Sequence, residues 1–179
     1  GPCFGSVNAS RPKVTYTSCI VGACRLLWKR VIEFDLQVSP SFLEALLPYL
    51  GKVFRETSGR FAGERFAPPE SGDEDLDAAW REGLIEDGRS DRLAFSRLLG
   101  NPKLAQGQVE IPVDDVDDAL RGMTELRIHL REHGLNSVSD EDLENGRIRI
   151  ESLPQNVRIA YLGYILLAEM QERLIREES

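Results

Sequence analysis

The sequence predicts a mainly α protein of the α+β class, a single-domain helical bundle with a small N-terminal β-hairpin or minor sheet. Three observations predict it. Apolar residues recur at helical intervals in three separate segments, Leu43 to Phe54, Val116 to Leu130 and Val157 to Leu174. Strict alternation is confined to one stretch, in which Ile32, Phe34, Leu36 and Val38 are separated by Glu33, Asp35 and Gln37. A chain of 179 residues can bury about 70% of its unfolded surface in one core. No period of 20–50 residues repeats, which argues against solenoids and propellers. Residues 1–23 read as an N-terminal extension with a candidate strand, and residues 24–179 as one mostly helical domain.

The elements follow in order. Val14 to Ile20 and the alternating stretch, with Gly22 between them, fit a hairpin. Ser39 is placed to cap the next helix and Pro40 suits its first position, while Ser41 and Glu44 repeat the capping-box spacing. Leu43, Leu46, Leu47, Leu50 and Phe54 form its apolar face, and Pro48 is expected to kink or shorten it. Gly59, Gly63, Pro68, Pro69 and Gly72 mark a long loop. An acidic helix follows, with Leu76, Trp80 and Leu84 on one face and Asp73, Glu74 and Asp75 at the positive end of its dipole. A shorter helix runs from about Ser90 to Leu99 and stops at Gly100-Asn101-Pro102.

Val109 and Ile111 make a short strand feeding a helix that begins near Asp114, for which Gly134 is placed as a left-handed terminator. Ile148 and Ile150 suggest another strand. The last helix, from about Pro154, is apolar on most sides until Met170 and belongs at the centre of the bundle.

Composition narrows the function classes. The charge is −8 with 22 Lys+Arg against 30 Asp+Glu, and no long basic block occurs, so neither nucleic acid nor an acidic membrane surface is an expected partner. No apolar run reaches the length of a membrane helix. Cys3, Cys19 and Cys24 are too few and odd in number for a disulfide framework, which makes a reducing cytoplasm the expected compartment. Gly1-Pro2 fits tag removal or processing. Val21-Gly22-Ala23-Cys24 faintly resembles a lipoprotein cleavage box, but Thr15 to Ser18 spoil the apolar region before it.

Three constellations could carry chemistry. His129-Leu130-Arg131-Glu132-His133 is an H-x-x-E-H pattern, which on a helix sets two imidazoles on one face to share Zn²⁺ while Glu132 activates a water. A third ligand would have to come from a distant acid such as Glu169. The bland alternative is two imidazoles near a helix C-terminus, where positive charge is favoured. Asp114-Asp115-Val116-Asp117-Asp118 fits the D-D-x-x-D pattern of diphosphate–Mg²⁺ enzymes, with an echo at Asp73 to Asp77, yet acids at helix entrances explain both. Asp140, Asp142, Glu144 and Glu151 follow a calcium-loop register in which Asn145 stands where glycine is needed. Phosphate-binding glycine loops, a G-x-S-x-G elbow and C-x-x-C are missing. The expectation is a protein without catalytic residues, cofactor or metal.

Val38-Ser39-Pro40 with the Leu-rich helix, the stretch Val109 to Leu130, and above all Tyr164, Leu167-Ala168 and Met170-Gln171-Glu172-Arg173-Leu174 resemble a bacterial family catalogued as a domain of unknown function. Leu166 and Glu169 stand where that family commonly has tryptophan. The resemblance implies a mostly helical cytoplasmic protein, often encoded beside the adaptor of the Clp protease, and it assigns no catalytic residue. The resulting expectation is a small regulatory module that binds another protein, linked to Clp-type proteolysis, with Phe61, Phe66 and Pro68 as partner-binding residues and Tyr161 and Tyr164 as further aromatic contacts. The alternative is a zinc-dependent hydrolase using His129, Glu132 and His133. Homo-oligomerisation through an exposed strand or the terminal helix is a third.

Overall fold

The structure, a computed structural model, describes residues 15–17, 29–57 and 73–179. Six α-helices and three strands occur among them: β1 Thr15–Thr17, β2 Lys29–Asp35, α1 Pro40–Glu56, α2 Glu74–Leu99, α3 Pro102–Ala105, β3 Gln108–Pro112, α4 Val116–His129, α5 Asp140–Asn145 and α6 Gln155–Glu178. The protein is mainly helical with a small antiparallel sheet, as the sequence predicts.

The sheet runs β1-β2-β3 with β2 in the middle. β1 pairs with the start of β2, Thr15 facing Val31, as the expected hairpin requires. The longer pairing is with β3, where Ile32 faces Ile111 and Phe34 faces Val109. Those four side chains are buried and form the inner face. Strand β2 starts and ends three residues earlier than its alternation suggests. Leu36 stays buried past its end because its N–H donates to the Gly107 carbonyl at 2.7 Å. Gly107 sits at φ 87°, a conformation that leads the chain from α3 into β3 and favours glycine.

Helix α1 is capped by Ser39, whose side chain accepts from the Phe42 N–H, and has Pro40 at its first turn. Pro48 neither ends nor shortens it. Both Pro48 and Glu44, whose carbonyl loses its helical donor, are exposed, so the helix runs past the proline on its solvent side. Leu43, Leu46, Leu50 and Phe54 enter the core, with Leu47 packed at its edge.

The two helices expected between residues 73 and 99 are one continuous helix of 26 residues, α2. Ser90, read as a helix start, lies inside it and donates to Asp118 at 2.6 Å. Only Ala94, Phe95 and Leu98 of this helix are buried. Helix α4 begins two residues later than expected, after a 3₁₀ turn at Val113–Asp115, and continues into a π-helical turn at Leu130–Gly134.

Gly134 is not left-handed. Its reason lies in packing, since a Cβ there would stand 2.7 Å from the Ala160 Cβ of α6. The left-handed terminator is Gly146, at φ 61°, closing α5. Ile148 and Ile150 form no strand, and a 3₁₀ turn occupies Ile150–Ser152. Helix α6 buries nine residues, more than any other helix, while Ile165 and Ile175 face solvent.

Candidate functional site

The H-x-x-E-H motif spans the junction of α4 and the π-turn. Its rings are stacked, with centroids 4.2 Å apart and planes inclined by 20°. The His133 Nδ1 lies 3.1 Å from the His129 carbonyl oxygen. Lone pairs of imidazole lie in the ring plane, so face-to-face stacking aims them side by side rather than at a common point. Glu132 is exposed and Glu169 half-buried. Among the described residues no three His, Cys, Asp or Glu side chains gather as a metal-binding group.

The D-D-x-x-D run does more than decorate a helix entrance. Asp115 pairs with Arg97 at 3.2 Å. Asp118 accepts from Ser90 and pairs with Arg121, whose Nε also reaches Asp91 at 2.9 Å. These residues stitch α4 to α2. Burial raises the Asp91 pKa even with the Arg121 guanidinium against it. The echo at Asp73 is a cap, accepting from the N–H groups of Asp75 and Leu76 at 3.0 and 3.2 Å. The calcium register falls on helix rather than loop: Ser139 caps α5, and Asp140 accepts from Arg131 at 3.0 Å.

Phe61, Phe66 and Pro68 lie outside the described residues, as do the three cysteines, the Gly22 turn and the Val21–Cys24 box. Tyr161 is a core residue. Tyr164 is half-buried, and the Arg127 guanidinium lies 4.5 Å from its ring centroid.

Two polar centres escape sequence reasoning. Arg92 donates to the Phe54 carbonyl at 2.7 Å and to Thr57 at 3.1 Å, pairs with Glu125 at 2.8 Å, and covers the Phe54 ring. It thereby finishes the C-terminus of α1 while joining α1, α2 and α4. Gln171, buried in α6, donates to the Leu120 carbonyl and to Thr124 and accepts from Arg127 at 2.8 Å. The Arg127 Nε is buried without a hydrogen-bond partner. No spacing in the sequence announces either centre, because both partners of each contact lie on different helices.

The surface that stands out is the N-terminal half of α2. From Asp73 to Ser90 no residue is buried. Leu76 is 59% and Ile85 45% exposed. Leu76, Trp80 and Leu84 prolong the stripe that buries Phe95 and Leu98 further along the helix, but beyond the region where the core covers it. Asp73, Glu74, Asp75, Asp77, Glu82, Glu86 and Asp87 outweigh Arg81 and Arg89. A Cβ at Gly83 or Gly88 would meet nothing within 4 Å, so no packing demands either glycine. Among the described residues no helix is long and apolar enough to cross a membrane.

No protein-family model, curated protein sequence or solved structure matches this chain.

Proposed function

We propose that this chain is a small non-catalytic module of the cytoplasm that binds and regulates another protein, with Clp-type proteolysis the process suggested by its family resemblance. The observation that supports this reading is the N-terminal half of α2: over four turns of helix with no core residue, carrying exposed Leu76 and Ile85 among acids. A helix half with that composition contributes little to its own fold. Its polar neighbours elsewhere are consumed by structure, as Arg92, Arg121 and Gln171 illustrate.

The test is photo-crosslinking in living cells. A benzophenone amino acid is placed in turn at exposed Leu76, Ile85, Ile165 and Ile175, and adducts are identified by mass spectrometry. The reading expects one recurrent protein partner from at least one position. Absence of any adduct from all four refutes it.

A further inference from the structure

We infer that the Asn145-Gly146 pair is a site of spontaneous modification: Asn145 deamidates in the folded protein, and the product releases helix α5 while the core stays closed. Asn145 is the one asparagine of the sequence that glycine follows. Glycine has no Cβ to crowd its backbone nitrogen, so that nitrogen can reach the side chain of the residue before it. A fold ordinarily blocks such an attack by fixing the backbone and engaging the amide, and here it does neither. Asn145 is the last residue of α5, a helix of six residues of which none is buried. Asn145 and Gly146 are both exposed. Gly146 stands at φ 61°, where an added Cβ would meet nothing within 4 Å. Among the described residues no carbonyl accepts its N–H in ordinary hydrogen-bond geometry. A helix end held by so little opens at small cost.

The chemistry balances with water alone. The Gly146 nitrogen, its proton passed to solvent base, attacks the Asn145 Cγ. The new N–Cγ bond closes a succinimide ring, and the side-chain nitrogen takes up a proton and leaves as ammonia. One water then opens the ring. Breaking the N–Cγ bond gives aspartate at 145. Breaking the bond from that nitrogen to the Asn145 main-chain carbonyl carbon gives isoaspartate, whose backbone runs through Cβ and Cγ and is one methylene longer. Either product sets a new carboxylate at the negative end of the helix dipole, beside Glu144 and one turn after Glu141 and Asp142. Both sides of the stretch are anchored. Arg131 pairs with Asp140 and donates to the Leu135 carbonyl at 2.6 Å. Arg158 donates to the Ile150, Glu151 and Leu153 carbonyls, each at 3.1 Å. The change is thereby confined to the chain between those anchors.

The experiment incubates the full chain at neutral and at mildly acidic pH, samples it over time and cuts it with trypsin. Cleavage after Arg131 and Arg147 leaves Asn145 on one peptide with Asn136, which is also exposed but is followed by serine. Fragmentation of that peptide locates the mass gain of amide-to-acid exchange and separates aspartate from isoaspartate. Asn145 is expected to convert at least about tenfold faster than Asn136, and within about tenfold of its own rate in the urea-unfolded chain. The rate should rise with pH, because the attacking nitrogen must lose its proton, and Asn145→Gln should abolish the gain at this position. In the aged protein, hydrogen exchange of the α5 amides should quicken at least about tenfold, while that of buried Leu126 and Leu167 stays as it was. Equal rates at Asn136 and Asn145, or a folded-state rate more than about tenfold below the unfolded one, overturns the inference. So does unaltered α5 exchange after conversion, or a change that spreads to Leu126 and Leu167.

Discussion

Gly122→Ala probes the seam that organises the molecule. Gly122 lies on α4 where that helix crosses α2, and a Cβ there would stand 2.7 Å from the Phe95 Cβ, 3.1 Å from the Asp91 carbonyl oxygen and 3.3 Å from the Phe95 Cδ1. Neither a Cβ nor a backbone oxygen can rotate aside. The helices must separate by several tenths of an ångström, across a seam held by Ser90–Asp118, Asp91–Arg121, Arg97–Asp115 and Arg92–Glu125. Alanine gains about 1 kcal/mol in helix propensity and about 0.8 kcal/mol from a buried methyl. Overpacking of an interface that cannot relax costs about 3 kcal/mol or more. The net expectation is a loss of about 1–2 kcal/mol, or about 3–6 °C in melting temperature. Urea denaturation followed by circular dichroism measures it as a lower midpoint at unchanged slope. Two controls fix the sign. Gly83→Ala meets open space and should gain about 0.5–1 kcal/mol. At Gly163 the obstacle is the Leu50 Cδ2 at 2.8 Å, the far end of a side chain that can turn, so its loss should be smaller than at Gly122. A Gly122→Ala protein as stable as the parent would refute the reasoning.

Arg92→Met should cost about 2–4 kcal/mol in the same denaturation assay, since it breaks the half-buried ion pair with Glu125 and removes one of the donors to the Phe54 carbonyl that closes α1, and Glu125→Gln should cost less than that. Lys103 bonds Glu110 and also faces Glu33, holding the Glu110 carboxyl below its ordinary value of 4.5. A carboxylate lowered in this way favours folding above its unfolded pKa and loses that contribution as pH falls through the lowered midpoint. Lys103→Gln should therefore raise the Glu110 midpoint in a carbon-13 NMR titration and destabilise the fold at neutral pH, and the difference from the parent should vanish in strong acid. Equal Glu110 midpoints in both proteins would contradict it. The stacked imidazoles of His129 and His133 should retain no stoichiometric zinc after dialysis, which elemental analysis measures; a full equivalent, lost in His133→Ala, would revive the hydrolase reading.

Much of the fold is legible in the sequence wherever one face of an element meets the core along its whole length. The period Leu43, Leu46, Leu50, Phe54 and the alternation Ile32, Phe34, Leu36 both correspond to buried residues. The Leu76–Trp80–Leu84 stripe shows where this logic stops. Periodicity identifies an apolar face but not how far the neighbouring helix extends, and α4 has 14 residues against 26 in α2. Gly134 was illegible for a related reason: chain ends and close helix crossings both favour glycine, and only the position of Ala160 distinguishes them. For the candidate surface, the acids of α2 are plain in the sequence, whereas those at Asp115 and Asp118 look alike and are spent on Arg97, Ser90 and Arg121. A run of carboxylates does not reveal which of its members a distant helix neutralises.

The order of strands carries a kinetic consequence. Strand β2 finds its longer partner, β3, only after more than seventy intervening residues that include α1, α2 and α3. Closing so long a loop is entropically slow, while the helices form from neighbours within a few turns. Helical signal should thus appear early in refolding, with amide protection of Ile32 and Phe34 lagging behind, so that sheet closure limits the rate at which the native state is reached.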